Sequence, residues 1–216
     1  MYVQIALFEG FDLLDVVAPY EVLSAGSWMS AGKLRVELAA CEGSVEIPSG
    51  TGPGLRATAT LDPDAADLIV IPGVAGDLGS GENSIQSRLG RTLGSGLPAV
   101  LAKAMKRPEV TVATVCGGSL LMAMAGLIPG RHAVTHHLGM EALKESGVEA
   151  VHARIVDDGD LVSSGGVTSG LDIGLYLLER ELGPRIAHGV ESLFAYERRG
   201  TVWRAEGLVP ASLMAA

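Results

Sequence analysis

The stretch VTVATVCGGSLLMAMAGL, residues 110–127, decides how this chain folds. Val110 to Val115 is β-branched and almost continuously apolar over a strand's length, as a strand buried on both faces of a parallel sheet would be. It runs straight into Cys116, two glycines and, at Ser119, the start of a helical apolar period. Strand, sharp turn and helix in that order have the geometry of a nucleophile elbow. The glycines let the chain turn tightly and bring backbone close to a substrate, and the amides that follow point toward the nucleophile. A thiol at the positive end of a helix is predicted to ionise below the free value of about 8.5. Cys116 is therefore a candidate nucleophile. The competing reading is a small hydrophobe at the end of a buried strand, the commonest role of an isolated cysteine. Cys41 follows Leu38-Ala39-Ala40 without a comparable turn behind it and reads as structural.

Three more β-branched runs have the same character: Val3 to Phe8, Leu34 to Ala39 and Leu68 to Ile71. Between and after them a helical period covers Val16 to Ala25, Ser84 to Lys106, Ser119 to Ala125, Leu138 to Ser146, Gly170 to Leu182 and Pro184 to Tyr196. This alternation predicts an α/β fold, a doubly wound and mainly parallel sheet sandwiched between helices. Ser169 and Asp172 make a capping-box pattern before the stripe Leu171, Leu175, Leu178 and Leu182, and Gly183-Pro184 ends that helix and opens the next. Ala133 to His136, Val151 to Val156 and Leu161 to Ser164 read as further strands, the last two forming a hairpin across Asp157-Asp158-Gly159-Asp160. Gly73 to Ser84 reads as a loop. No repeat, low-complexity tract or linker divides the chain, so residues 1–216 are expected to be one domain.

Hydrophobic residues make up 48% of the chain and charged residues 19%, which excludes disorder of the body. A net charge of -9 would repel both a phosphate backbone and an anionic membrane, so no nucleic-acid or membrane partner is expected. Glu9, Asp12 and Asp15 interrupt the place where a secretory signal would be apolar, and no apolar run approaches the roughly 20 residues that span a bilayer. A cytoplasmic protein with two free thiols is expected. About 13 residues follow Trp203, so no appended helix-turn-helix domain is expected. His132, His136 and His137 have no second cluster of ligands at metal spacing, so no metal is expected.

In open α/β sheets ligands bind beyond the carboxyl ends of the strands. The residues there are Glu9 to Asp15 after the first strand, Pro72-Gly73-Val74 after the third, Cys116-Gly117-Gly118-Ser119 after the fourth and His136-His137 after a later one. They are expected to converge on one cleft. By position alone, Asp15 also fits an N-cap for the helix starting at Val16, and His136 also fits a hydrogen-bonded structural residue.

Four segments together resemble the ThiJ/PfpI superfamily of class I glutamine-amidotransferase-like proteins: EGFDLLDVVAPYEVL, the IPG after the third strand, VCGGSLLMAMAGLIPGRHAVTHH and GGVTSGLDIGLYLLERELG. The likeness runs from about residue 3 to about residue 203 and is greatest to the isonitrile hydratase branch, in which Asp rather than Glu holds the N-terminal carboxylate position. It implies a flavodoxin-like fold with about six mainly parallel strands, a catalytic Cys116 and an acidic partner at Asp15. It also implies an oxyanion site from the Gly117 and Val74 amides, with Gly73, Ser119, His136 and Gly166 around it, no cofactor, and a homodimer acting on a small molecule. One of Cys116 and Asp15 is expected to hold a proton, since two negative charges cannot share a buried site cheaply.

The departures from the resemblance carry expectations of their own. Gly117 stands where peptidase-like relatives have the activating His, so proteolysis is not expected, and where the hydratase branch has Thr, so that hydroxyl is missing. Val74 replaces a second glycine and narrows the pocket. The expected activity is hydration of an isonitrile to an N-formamide; the alternatives are glyoxalase-like hydration of an α-dicarbonyl, or a sensing domain in which Cys116 is oxidised. Leu193, Phe194 and Tyr196 are the apolar residues expected at a dimer face unless the last helix packs them inward.

Overall fold

The computed structural model describes residues 1–208; residues 209–216, the end of the expected domain, lie outside the described residues. Eight strands make one sheet: β1 (Tyr2–Ala6), β2 (Arg35–Ala40), β3 (Ala59–Thr60), β4 (Leu68–Ile71), β5 (Thr111–Val115), β6 (Ile155–Asp158), β7 (Leu161–Ser164) and β8 (Trp203–Arg204). Their spatial order is β8-β6-β7-β5-β4-β1-β2-β3. Every neighbouring pair is parallel except the β6–β7 hairpin, so six strands share one direction while β6 and β8 run against them. Ile5 lies opposite Leu38 on one side and Val70 on the other, and all four residues of β4 are buried. Continuous apolar strands are stable here because helices cover the sheet on both faces.

The helices are α1 (Leu13–Met29), α2 (Ile85–Leu93), α3 (Leu97–Ala104), α4 (Gly118–Met124), α5 (Met140–Glu145), α6 (Ser169–Leu182) and α7 (Pro184–Phe194). α1, α6 and α7 pack on one another, as do α2 with α3 and α4 with α5. Small residues let α1 approach α6 closely: a Cβ on Gly174 would stand 2.9 Å from Val22 Cγ1, and one on Gly170 2.9 Å from Pro19 Cδ. None of the described helices is long and apolar enough to cross a membrane.

The doubly wound, mainly parallel sheet of the sequence reading is present, and its element boundaries need correction. The helix expected over 84–106 is two helices, because the chain turns at Gly94-Ser95-Gly96 and Pro98 opens α3 in its first turn. α1 starts at Leu13 with Asp12 as its N-cap, so Asp15 is not the cap. The capping box is not formed: Thr168 occupies the N-cap of α6 without a side-chain bond, and Asp172 is drawn away by Arg154. The strand expected over 133–136 is reduced to His132–Ala133, which pairs with Glu149–Ala150 in a separate ribbon. The helix expected over 138–146 begins as a short 3-10 turn before α5. Only Leu193 of the three residues expected at a dimer face is exposed; Phe194 packs against the core and the Tyr196 hydroxyl donates to Asp172 Oδ1 at 3.0 Å.

Candidate active site

The chain leaves β1 for β2 on one side and returns to β4 on the other, so the crevice of such a sheet opens at the carboxyl ends of β1 and β4. After β1, the Asp12 carboxylate accepts from the Leu14 amide at 3.0 Å and caps α1. The first turn of that helix then carries Asp15 inward, where it is fully buried. After β4, Gly73 ties the two together: its carbonyl accepts from the Asp12 amide at 2.8 Å, and its amide donates to Asp15 Oδ2 at 2.9 Å. A Cβ on Gly73 would stand 2.7 Å from the Gly117 nitrogen and 2.9 Å from Asp15 Oδ2, so the position requires glycine.

After β5 comes the elbow. Cys116 has φ of +53°, a left-handed conformation that costs a residue with a Cβ about 1 kcal/mol. Neighbouring segments impose it: the Cys116 amide donates to the Ser164 carbonyl at 2.9 Å, and its carbonyl accepts from the Thr135 hydroxyl at 2.9 Å. Gly118 lies so close to the Ile71 carbonyl that a Cβ would run into it. Ser119 is buried below, where it donates to the Val134 carbonyl at 2.5 Å and shares a 2.8 Å bond with Thr114. Its part is to fasten α4 to β5. No oxygen among the described residues accepts from the Val74 or Gly117 amide. The two stand together, since a Cβ on Gly117 would lie 3.8 Å from the Val74 nitrogen.

Burial is the main cause that lifts the Asp15 carboxyl to about 8, followed by the negative charge of Asp12; the Gly73 amide and the Cys116 side chain pull it down. Burial also pushes the Cys116 thiol up, with repulsion from Asp15 next, against the Gly117 amide. The expectation of a thiol acidified by the helix start is thereby corrected. α4 has seven residues, and one amide at its start does not offset the loss of water. Thiol and carboxyl titrate as a coupled pair, both pushed toward their protonated forms, and the state that has lost one proton shares the one that remains. When Asp15 holds it, the repulsion on a thiolate disappears. Asp15 Oδ1 has no hydrogen-bond partner, while the thiol is close enough to act on the carboxyl.

With this geometry in place, sequence comparison is specific. The DJ-1/PfpI family profile matches residues 1–180. The chain belongs to the DJ-1/PfpI family. It is 32% identical over 191 residues to isonitrile hydratase of Pseudomonas putida, covering 88% of this chain and 76% of that protein. It is also similar to the HTH-type transcriptional regulator CdhR of Pseudomonas aeruginosa, at 26% identity over 197 residues that cover 89% of this chain and 54% of the regulator. Among solved DJ-1/PfpI folds, Drosophila melanogaster DJ-1beta superposes with a TM-score of 0.75 at 16% identity, covering 91% of this chain and 98% of the other.

Within this DJ-1/PfpI chain the remaining candidates separate. His136 stands next to Thr135 and opens a 3-10 turn; its Nδ1 accepts from the Leu138 amide at 3.3 Å, which leaves the proton of a neutral ring on Nε2. Its ring stacks on His137 with centroids 4.1 Å apart. Burial and then His137 lower its pKa, while Asp12 raises it. Gly166 has φ of +85° and accepts from Ser169, so it shapes the entry to α6. Two residues around the thiol were not singled out from sequence. Asp12 had a readable signal, a carboxylate three residues before Asp15 at a helix start; Thr135 had none, because its bond to Cys116 joins distant parts of the chain. Among the described residues no group of three or more His, Cys, Asp or Glu is placed to hold a metal ion.

Proposed function

We propose that this protein is a cysteine-dependent hydro-lyase of the isonitrile hydratase type, converting an isonitrile to an N-formamide with Cys116 as nucleophile and Asp15 as proton carrier. One observation carries the reading: a fully buried Asp15 carboxyl, lifted to about 8, whose Oδ1 is unpartnered beside a thiol on a strained elbow. Similarity to the Pseudomonas putida isonitrile hydratase supports it.

The reacting state is Cys116 thiolate with Asp15 protonated. Sγ attacks the terminal carbon of the isonitrile, forming a C–S bond, and that carbon takes the Asp15 proton to give a thioimidate. Water adds to the same carbon through its oxygen. One water proton passes by way of Asp15 to the nitrogen, and the other returns to Asp15 as the C–S bond breaks. The formamide leaves, and thiolate and protonated Asp15 are restored. The Gly117 and Val74 amides stabilise the negative charge that develops on the adduct, a role that needs no side chain and so survives the loss of a hydroxyl at Gly117. The same reading takes the chain as one cytoplasmic domain that works as a homodimer on a small molecule, with no cofactor in the scheme.

Turnover of an aryl isonitrile to its N-formamide tests the proposal, with Cys116→Ala, shown to be folded by circular dichroism, run in parallel. Wild-type turnover that Cys116→Ala loses is the expected result. A folded Cys116→Ala protein with undiminished turnover, or a wild type with none, sinks it. In the second case lactate formation from methylglyoxal becomes the next assay of the same elbow.

A further inference from the structure

The charges around Cys116 are one-sided. Asp12 and Asp15 both push the Cys116 thiol up, and Asp12 pushes the Asp15 carboxyl up. Asp12 has no ion-pair partner among the described residues. The neighbouring Glu9, by contrast, is matched to Arg91 at 3.7 Å. Arg88, behind the same loop, is occupied by the Ala75 carbonyl at 3.0 Å and Asn83 Oδ1 at 3.2 Å.

Position makes Asp12 relevant to a ligand. Its amide donates to the carbonyl of Gly73, the residue that lies against Gly117 and whose amide holds Asp15. Its side chain is half-buried, and only one of its oxygens is engaged, by the Leu14 amide. Deeper in lies Asp15 Oδ1, buried and unpartnered.

We propose that Asp12 is a selectivity residue at the mouth of the Cys116 cleft, making it favour small electrophiles that carry a cationic substituent and disfavour anionic ones. This deepens the reading above and rests only on that part of it in which Cys116 is the reacting group. A protonated Asp15 leaves Asp12 as the fixed negative charge of the site at neutral pH, and a cation placed near it gains while an anion loses.

The test uses thiol labelling, which needs no turnover. In a Cys41→Ala background, so that Cys116 is the single thiol, rates are measured with the cationic trimethylammonioethyl and the anionic sulfonatoethyl methanethiosulfonates. Each is normalised to the neutral methyl reagent. In each case the thiolate displaces methanesulfinate and forms a mixed disulfide. Asp12→Asn removes the charge and keeps the cap, because asparagine caps a helix as well as aspartate. The expected result is a cation preference that falls about tenfold in Asp12→Asn, since removing one charge slows the cation and speeds the anion, each by about threefold. The fall should shrink at 1 M salt. Glu109→Gln, an exposed charge at the opposite end of β5, controls for the overall charge of -9 and should leave the ratio unchanged.

Absence of a cation preference, a ratio unmoved by Asp12→Asn, an equal effect of Glu109→Gln, or failure of all three reagents to reach Cys116 overturns the proposal. Isonitrile turnover is read separately with ammonium-bearing and carboxylate-bearing aryl isonitriles. If neither reacts while the labelling ratio behaves as expected, the hydratase reading fails and the selectivity of the cleft stands.

Discussion

Asp15 is ionised in an unfolded chain at neutral pH, near the ordinary carboxylate value of 3.8, whereas burial in the folded protein lifts it to about 8. Between those values the folded protein holds a proton that the unfolded chain has released, so Asp15 makes stability fall as pH rises from about 4 to about 8. Asp15→Asn removes that slope. Relative to wild type the variant is expected to gain about 1–3 kcal/mol between pH 5 and pH 8, and to lose activity, as read from denaturant midpoints at the two pH values. An Asp15→Asn protein whose stability relative to wild type does not rise over that interval would contradict the burial argument. The elbow makes a second, paired prediction. Gly118→Ala drives a Cβ into the Ile71 carbonyl and should cost about 2–3 kcal/mol, whereas Gly117 has φ of -73° and a Cβ there meets nothing nearer than Gly73 Cα at 3.5 Å. Gly117→Thr should therefore fold within about 1 kcal/mol of wild type by thermal melting. Adjacent glycines thus differ: one is required by packing, and the other is not.

At the scale of elements, α6 is held by an ion pair as well as by its leucines. Asp172 is fully buried, accepts from Arg154 Nε at 2.8 Å and Nη2 at 2.5 Å, and also takes the Tyr196 hydroxyl and the Arg199 amide, at 2.7 Å for the last. One carboxylate therefore fastens both the segment before β6 and the chain after α7 to α6. Asp172→Ala leaves Arg154 without its charge partner and should cost about 3 kcal/mol. Limited proteolysis should then cut first around Tyr196 to Gly200, and protection of that segment equal to wild type would argue against the latch. The sequence offered Ser169 and Asp172 as a local cap, a reasonable inference from a three-residue spacing. It missed the latch because Arg154 and Arg199 are remote in the chain and become partners only when β6 and α7 converge. The break between α2 and α3 was misread for the opposite reason, since an apolar period can continue through Gly94-Ser95-Gly96 while the backbone turns there.

For the whole molecule, the buried residues from Val3 to Val190 form one continuous cluster, reaching both sides of the sheet. The proposal of one domain therefore predicts a single unfolding transition, with circular dichroism and tryptophan fluorescence changing together; two separated transitions would divide the chain. Trp28 at 74% exposure, with Met29 and Leu193 also exposed, is the apolar surface against which the proposed homodimer is to be judged by light scattering, where a mass near the 22.3 kDa of one chain would reject it.

The sequence by itself determined the alternation of buried strands with helices, and it placed Cys116 on an elbow, because strand, turn and helix there are contiguous and each is set by its own residues. It reached Asp15 only through family resemblance. Only the tertiary structure decided what these groups are chemically: that Asp12 rather than Asp15 caps α1, that Asp15 loses its water and keeps a proton, and that burial outweighs the helix start at the thiol. Those properties depend on how β1, β4 and β5 bring separate turns together and exclude water, and pair energies across such distances leave no pattern in local sequence.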